Sequence, residues 1–289
     1  MLHRRKSFFS VINAVILALV AALCVLPMVH ILAVSFSDSV PVSKYEVGLV
    51  PKQFTLVAYQ SVFEMKAFWK SFGVTLERVV LGVSINMLLT IMLAYPLSKE
   101  SRVFPGRSAY VWLIVFTMLF NGGLVPTYMV IKNLGLIDTI WALVLPVAVP
   151  VFNVILMMNF FRQIPKELEE SFHVDGASHW KIMLRLMLPL SLPVIATVTL
   201  FSIVFHWNSW FDGLLYMSNS DNYPMQTYLN NVLSSRNIIN VNQQSALAMV
   251  TNRSVMSAQI ILASLPILIV YPFLQKYFVH GIVMGSVKG

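Results

Sequence analysis

Six long stretches of the chain contain no Asp, Glu, Lys or Arg and consist mainly of apolar side chains. The hydrocarbon core of a bilayer is about 30 Å thick, and about 20 helical residues cross it. Because lipid offers the backbone no hydrogen-bond partner, each stretch is predicted to be helical. The sequence therefore predicts an all-α integral membrane protein with six transmembrane helices, at about 8–34, 72–97, 109–131, 139–161, 187–207 and 255–275.

Composition agrees with a membrane protein. The 289-residue chain is 57% hydrophobic and 11% charged, whereas a soluble domain carries roughly 25% charged residues. So few charges cannot cover the surface of a soluble globule of this size, which excludes a soluble enzyme and a disordered chain. The single cysteine, Cys24, excludes an internal disulfide and a cysteine metal cluster.

The distribution of Lys and Arg predicts the orientation of the helices. With the N-terminus in the cytoplasm, twelve of these residues fall in inside segments and seven in outside segments. Both termini are therefore predicted to be cytoplasmic. Topology and anionic lipid headgroups then account for the net charge of +8, and no nucleic-acid partner is needed. The first stretch has the basic start of a signal peptide, but its apolar run is about twice the usual 7–15 residues, which favours a retained helix.

Two outside segments, 35–70 and 212–253, are long. The first is predicted to form short structured pieces on the outer surface. The second is rich in Asn and is either a contact site for a soluble partner or substrate, or a solvated connector. Gly and Pro also interrupt several of the helices, and broken helices at membrane depth are tolerated where they face protein or a water-filled cavity. These breaks fit a translocation pathway and fit ordinary kinked packing equally well; they lie at Asn121, Gly122, Gly123, Pro126, Pro146, Pro150, Pro266 and Pro272.

Ionisable residues within membrane segments usually mark ion coupling, and this chain has few of them. Glu77, Arg78, His30 and His206 all lie near helix ends. Proton or sodium symport would require a carboxylate deeper in the bundle, and the sequence shows no inverted repeat. Energy for transport is therefore predicted to come from elsewhere.

The cytoplasmic loop 162–190, between the fourth and fifth helices, is predicted to contain a short helix with clear ends. Pro165 suits the first helical position. Gly176 supplies a left-handed stop after about three turns, and Ser178 can cap a second helix that leads into the membrane.

The composition of this short helix predicts a protein partner. Glu167, Glu169 and Glu170 complement the positive end of the helix dipole, and Leu168 and Phe172, four residues apart, form one apolar face. The helix is expected to lie beneath the bundle with an aromatic side chain and acids exposed. Anionic lipid headgroups attract Lys and Arg rather than Glu, so docking into a groove on another protein is favoured over resting on lipid.

This loop resembles the EAA motif of ATP-binding-cassette (ABC) importer permeases: Glu-Ala-Ala, three residues, Gly, nine residues, Ile, one residue, Leu-Pro. Glu170, Gly176 and the pair Leu188 and Pro189 match it at the required spacing, with Leu186 in the place of the Ile. The stretch 175–178 matches the Asp-Gly-Ala-Ser variant of the sugar-importing branch. The chain departs from the motif with Ser and Phe at 171–172 in place of Ala-Ala.

Other parts of the chain carry the same resemblance. Trp207 and Asn208 are similar to the Trp-Asn pair of carbohydrate permeases. The tail 281–289 resembles the Gly-rich C-terminus of the maltose-permease-G type, and segments 51–56 and 122–128 are similar to signatures of its subgroup named for lipoprotein and polysaccharide uptake.

The resemblance implies the type I ABC importer (MetI-like) permease fold, with residues 1–289 as one transmembrane domain in a bacterial cell membrane. It implies a permease subunit rather than an enzyme, one that forms an alternating-access pore for a carbohydrate such as an oligosaccharide or polysaccharide fragment. The implied partners are a second homologous permease, two ATPase subunits, and an extracellular or periplasmic solute-binding protein. This chain would bind no cofactor, and the ATPases would hold ATP and Mg. The chain contains no Walker A sequence, which agrees.

The resemblance also implies two groups of site residues. The ATPase-coupling group is Glu167, Glu169, Glu170, Ser171, Phe172, Asp175, Gly176 and Ala177. For the substrate pathway, polar and aromatic side chains that suit sugar hydroxyls and rings are Asn121, Tyr128, Asn153, Asn159, Trp207 and Asn208, although each also suits plain packing. Two other classes stay open, a secondary carrier or channel and a membrane-embedded enzyme or insertase.

Overall fold

The computed structural model describes residues 8–235, 253–270 and 272, and these residues form an all-α structure, as predicted. Their only extended pairing is a single antiparallel bridge between Ser37 and Phe54. The α-helices of these residues are α1 (Phe8–Ser35), α2 (Ser39–Ser43), α3 (Val57–Glu64), α4 (Lys66–Ser98), α5 (Arg107–Leu119), α6 (Leu124–Asn133), α7 (Ile140–Val144), α8 (Val151–Phe161), α9 (Lys166–Val174), α10 (His179–Ile182), α11 (Leu188–Leu190), α12 (Leu192–Asn208), α13 (Phe211–Tyr216), α14 (Met225–Ser235) and α15 (Arg253–Val270).

Three continuous helices, α1, α4 and α15, are long and apolar enough to cross a membrane. Three helix pairs meet the same criterion together but are bent: α5 with α6 by 110°, the helices on either side of Pro150 by 46°, and the helix ending at Leu190 with α12 by 82°. If each bent pair is one span, the described residues contain six, the predicted number. The fifth span differs from its predicted start at 187, because the helix begins at His179 and is interrupted at Ser191.

Some predicted features lie outside the described residues. These are the part of the sixth helix beyond 272, the Gly-rich tail 281–289, and residues 236–252 of the second outer segment.

The chain divides into two compact units, of which the first comprises Met1–Trp69 and Val232–Leu265. Within it, α1 carries apolar side chains all round and exposes nearly all of them, as expected of a helix that faces lipid. The segment after α1 is ordered by Ser37, whose hydroxyl donates to the Ala33 carbonyl (2.7 Å) and accepts from the Lys52 amide (3.0 Å). The predicted short structured pieces are thus α2 and α3.

The second unit comprises Lys70–Asn231 and Pro266–Gly289, and it holds the larger apolar core. That core is built from α4, α8, α9 to α12 and the π-helical turn Met183–Met187 that joins α10 to α11. Met157, Ile182 and Val198 are its fully buried centre. Since α9 is packed on this core, the loop that carries the EAA-like sequence is part of the folded bundle.

Candidate functional site

The EAA-like loop forms the short helix α9 with the ends that the sequence predicted to within one residue. The helix begins at Lys166, directly after Pro165. At its other end, Gly176 has a φ of +72°, its amide donates to the His173 carbonyl (3.0 Å), and the Ala177 amide donates to the Phe172 carbonyl (2.9 Å). This pair of hydrogen bonds is a Schellman motif, which uses glycine because a side chain disfavours the left-handed conformation.

The next helix, α10, starts immediately after this turn. The Ser178 side chain accepts a hydrogen bond from the Lys181 amide (3.4 Å), so it caps α10 as predicted. The fifth transmembrane segment is therefore joined to α9 by a turn in which Gly176 and Ser178 both have defined roles.

One side of α9 is anchored to the bundle, which corrects the prediction that its aromatic residue is exposed. Phe172 is partly buried against the main core, and Ala177 is buried within it. Glu169 is also turned inward and forms an ion pair with Lys99, whose ammonium lies 4.1 Å from the centre of the Tyr95 ring. The apolar side chain at 172 thus holds α9 in place from within this chain.

The opposite side of α9 is exposed and combines acids with one apolar residue, Val174. Val174, which the sequence did not mark as a contact residue, is 88% exposed, whereas Leu168, on the same face as Phe172, is 41% exposed. This exposed surface of acids and Val174 is therefore available for contact with another protein. The predicted coupling residues on this exposed surface are Glu167, Glu170, Ser171, Asp175 and Gly176.

Two ion pairs fasten the first half of α9 to the two residues that follow α4. Burial removes water from the Lys99 ammonium and lowers its pKa, and the pairing with Glu169 opposes that shift. The second pair joins exposed Lys166 and Glu100. It raises the pKa of Lys166 and lowers the pKa of Glu100, because each group stabilises the charged form of the other.

A cavity of about 530 Å³ lies where the fourth span is broken. Three polar side chains reach it, from Asn86, Asn153 and Ser202, and all three are buried. The Asn153 amide donates to the Ser202 hydroxyl (3.3 Å). The remaining lining is apolar or aromatic: Pro146, Val147, Val149, Pro150, Phe152, Phe201 and Phe205.

Asn86 stabilises the wall of this cavity through hydrogen bonds to the backbone. Its side-chain amide donates to the Val147 carbonyl (2.8 Å) and to the Ala148 carbonyl (2.9 Å). Carbonyls at the end of a helical segment lack a partner within that segment, so Asn86 satisfies the carbonyls exposed by the break before Pro150.

A buried polar chain connects Asn86 to the ion pair of Arg78 and Asp212. The Asn86 side-chain oxygen lies 2.9 Å from His206 Nε2. Since the Asn86 amide already donates to carbonyls, His206 Nε2 carries the proton and Nδ1 accepts from Arg78 Nε (3.5 Å). Arg78 is fully buried, and its guanidinium contacts both oxygens of Asp212.

Gly82 makes room for this chain. It lies between Arg78 and Asn86 on one face of α4, at four-residue spacing. A β-carbon at Gly82 would overlap the His206 ring at Nε2, far inside contact distance. The helix can therefore approach His206 only with glycine here.

The structure does not bring the predicted substrate-pathway residues together. Asn153 lines the cavity, and Tyr128 stacks on Tyr216 with ring centres 6.3 Å apart. Trp207 is buried and packs edge-on against Phe72 (5.9 Å). The remaining three are exposed at separate places: Asn121, Asn159 and Asn208.

Sequence reasoning missed Asn86, Ser202 and the partners of Arg78. The signal at Arg78, Gly82 and Asn86 was available, because a charge, a small residue and an amide at four-residue spacing occupy one face of an apolar helix. Sequence spacing alone gives no indication that His206 and Asp212, 128 and 134 residues from Arg78, would face it.

Comparison with known proteins identifies the family. Residues 101–283 match the model of the family described as the binding-protein-dependent transport system inner membrane component. The chain belongs to this family. The permease is 43% identical to protein LplC of Bacillus subtilis, over 100% of this chain and 98% of that protein. It is 40% identical to the polygalacturonan/rhamnogalacturonan transport system permease protein YtcP of the same organism, over 94% of this chain and 96% of that one.

Solved structures agree with the family. The permease matches a chain of a bacterial ABC transporter involved in the import of the acidic polysaccharide alginate with a TM-score of 0.85 and 33% identity. The match covers 96% of this chain and 99% of that chain. The fold is thus that of an ABC importer permease, and the chain is a multi-pass membrane transport subunit rather than an enzyme.

Proposed function

We propose that this permease forms one half of the pore of an ATP-driven ABC importer for a carbohydrate, an oligosaccharide or a polysaccharide fragment. The observation that carries the proposal is α9, an EAA-like helix with a fixed inner face and an exposed outer face, in a chain of this permease family. Its relatives by sequence and structure are named for polygalacturonan, rhamnogalacturonan and alginate transport, which supports a saccharide substrate.

The coupling helix, α9, is the part of the permease that an ATPase subunit would contact. Phe172 and the Glu169–Lys99 ion pair fix its base to the bundle, so a force applied to the exposed side is transmitted to the transmembrane helices rather than absorbed by a flexible loop. Glu170 offers a carboxylate for a charge-assisted hydrogen bond, and Val174 offers apolar area to a groove. Closure of the ATPases would thereby drive the pore between inward-facing and outward-facing states.

The cavity beside the broken fourth span is the candidate for contact with the sugar. Amide and hydroxyl groups of Asn86, Asn153 and Ser202 suit sugar hydroxyls, while Phe201 and Phe205 suit the apolar faces of sugar rings. The exposed Asn121, Asn159 and Asn208 would complete the pathway only together with the second permease.

The transporter that this function requires contains further subunits. A second homologous permease would close the pore, two ATPases would hold ATP and Mg, and a solute-binding protein would deliver the sugar. In support, a more distant solved structure with the same fold, at 17% identity and a TM-score of 0.56, shows an alginate ABC transporter in complex with an alginate pentasaccharide-bound periplasmic protein.

Affinity purification tests this assembly. A tagged permease expressed together with its neighbouring transporter genes is expected to retain a second permease and an ATPase in stoichiometric amounts. Vesicles containing the assembly should accumulate a saccharide only with ATP on the ATPase side and the loaded binding protein on the other. Accumulation that follows a proton or sodium gradient, without ATPase subunits, would contradict the proposal.

Both termini are proposed to lie in the cytoplasm, on the basis of the Lys and Arg distribution. In a Cys24→Ala background, an impermeant thiol reagent added to intact cells should label Ser218→Cys and should not label Ser101→Cys. Both positions are exposed in the structure, so access from water is limited only by the membrane. Labelling of Ser101→Cys alone would show that the orientation is inverted.

A further inference from the structure

Three potential metal ligands meet where α9 is joined to α10. They are Glu169, His173 and His179, and one ligand atom from each lies within 4.8 Å of the other two. These residues have no assigned role in the proposed docking surface, except that Glu169 belongs to the predicted coupling group and pairs with Lys99.

Local geometry brings the three side chains together. Glu169 and His173 are four residues apart on α9 and so share one face, with Glu169 Oε1 3.7 Å from His173 Nε2. His179 is the first residue of α10, and the turn at Gly176 returns the chain so that its ring centre lies 5.1 Å from that of His173.

We propose that Glu169, His173 and His179 form a binding site for a divalent transition-metal ion, with zinc as the best fit. Two imidazole nitrogens and one carboxylate oxygen are a donor set that zinc takes in proteins, with a fourth position left to water or another ligand. Magnesium and calcium prefer oxygen donors alone, so the two imidazoles select against them.

The observed positions require only a small closure. Zinc bonds of about 2.0–2.1 Å in a tetrahedral site place ligand atoms about 3.3 Å apart. The His173 side chain is 43% exposed and His179 is exposed, so small rotations of the two side chains can close the remaining distance.

Neighbouring side chains hold the ligands in orientation. The Tyr95 hydroxyl lies 3.4 Å from His179 Nδ1, which leaves Nε2 for a metal. Lys99 also contacts Oε1 of Glu169, and a carboxylate has about four lone-pair sites on its two oxygens, so it can accept from Lys99 and bind a metal as well. Such outer partners fix ring orientation in metal sites and contribute to affinity.

A bound ion would tie α9 to the start of the fifth span across the Gly176 turn. This consequence rests on the proposed function: drawing His173 and His179 onto one ion alters the turn between α9 and α10 and displaces the docking surface, so the metal would inhibit ATP-driven import. The binding itself does not depend on transport.

Zinc titration of the purified transporter against a chromophoric chelator, without nucleotide or sugar and with a tag that contains no histidine, tests the site. The wild type should bind one more equivalent of zinc than His173→Gln or His179→Gln. Loss of an outer hydrogen-bond partner lowers metal affinity by about 10–100-fold, and loss of either ligand should lower the zinc affinity further. The control His30→Gln removes an exposed histidine from the other unit and should retain the equivalent. Equal binding by all four proteins, or only weak binding without stoichiometry, would overturn the site.

A second readout separates binding from regulation. Cobalt(II) bound to the wild type should give visible absorption bands of a low-coordinate site, and His179→Gln should lack them. Zinc should slow ATP-driven import by the wild type and leave import by His179→Gln unchanged. If the titration shows the site but zinc slows both proteins equally, the regulatory consequence is wrong. Absence of import under every condition would overturn the proposed function and leave the titration result intact.

Discussion

Replacing Gly176 with valine is expected to reduce ATP-driven import by at least about tenfold while the membrane bundle stays folded. Gly176 has a φ of +72°, and the left-handed conformation costs a residue with a side chain about 1–2 kcal/mol. Among the described residues, and apart from its two chain neighbours, no atom lies within 4 Å of its missing β-carbon, so the cost is conformational and not steric. The chain relieves it by changing the Schellman turn, which moves α9 relative to α10 and displaces the docking surface.

Gly135 provides a matched control for this substitution. It has a φ of +67° and equally open surroundings, but it lies in the turn after α6. Gly135→Val should therefore carry a similar conformational cost and retain import and bound ATPase. Rates of import and retention of the ATPase during purification are the two measurements. Equal losses in both variants would show that the effect of Gly176→Val is general destabilisation.

Replacing Asp212 with asparagine, a side chain of nearly the same shape, is expected to cause a large loss of stability. The change keeps the side-chain shape but leaves the guanidinium of Arg78, which is fully buried, without a counter-charge. Removing one member of a buried ion pair costs about 3–5 kcal/mol. At about 2–4 °C per kcal/mol, the melting temperature in detergent should fall by roughly 10 °C.

The exposed pair Lys70–Asp221 is the control, because its side chains are 52% and 59% exposed. Asp221→Asn should change stability by at most about 1 kcal/mol. The double variant Arg78→Met, Asp212→Leu should recover much of the stability, since apolar residues can replace a buried pair at little cost.

Gly82→Ala should also destabilise the protein, because the added methyl group would displace His206, whereas Gly73→Ala, with open space around it, should not. A fall in melting temperature as large for Asp221→Asn as for Asp212→Asn would contradict a stabilising role of the buried hydrogen-bond chain that ends at Asp212.

The ends of α9 were predictable because they depend on local chemistry. Proline before the helix, glycine at the left-handed stop and serine at the next cap each act on their own backbone neighbours. Such rules need no knowledge of the tertiary fold. Long apolar helices were predictable on a different ground, because the bilayer sets the length of an apolar helix.

The orientation of side chains was not predictable to the same degree. Phe172 was expected at the surface, yet the core beneath α9 has room for it, and Glu169 turns inward because Lys99, at the end of a helix 70 residues away, offers a partner. The buried contacts of Arg78 and Asn86 likewise join elements distant in sequence. The pathway residues stay scattered in one chain, as expected if half of the pore belongs to another subunit.

Sugar-stimulated ATP hydrolysis and uptake by the reconstituted transporter, with Glu170→Lys beside the wild type, test the central claim most directly. Glu170 is exposed on α9, and a charge-assisted hydrogen bond to a cationic residue of the ATPase is worth about 1.5–3 kcal/mol. Reversing the charge should abolish stimulation by the loaded binding protein and release the ATPase, while the control Glu64→Lys, at an exposed acid before α4, should behave as wild type. Wild-type uptake by Glu170→Lys with the ATPase fully retained would contradict the assignment of α9 as the helix that couples ATP hydrolysis to transport.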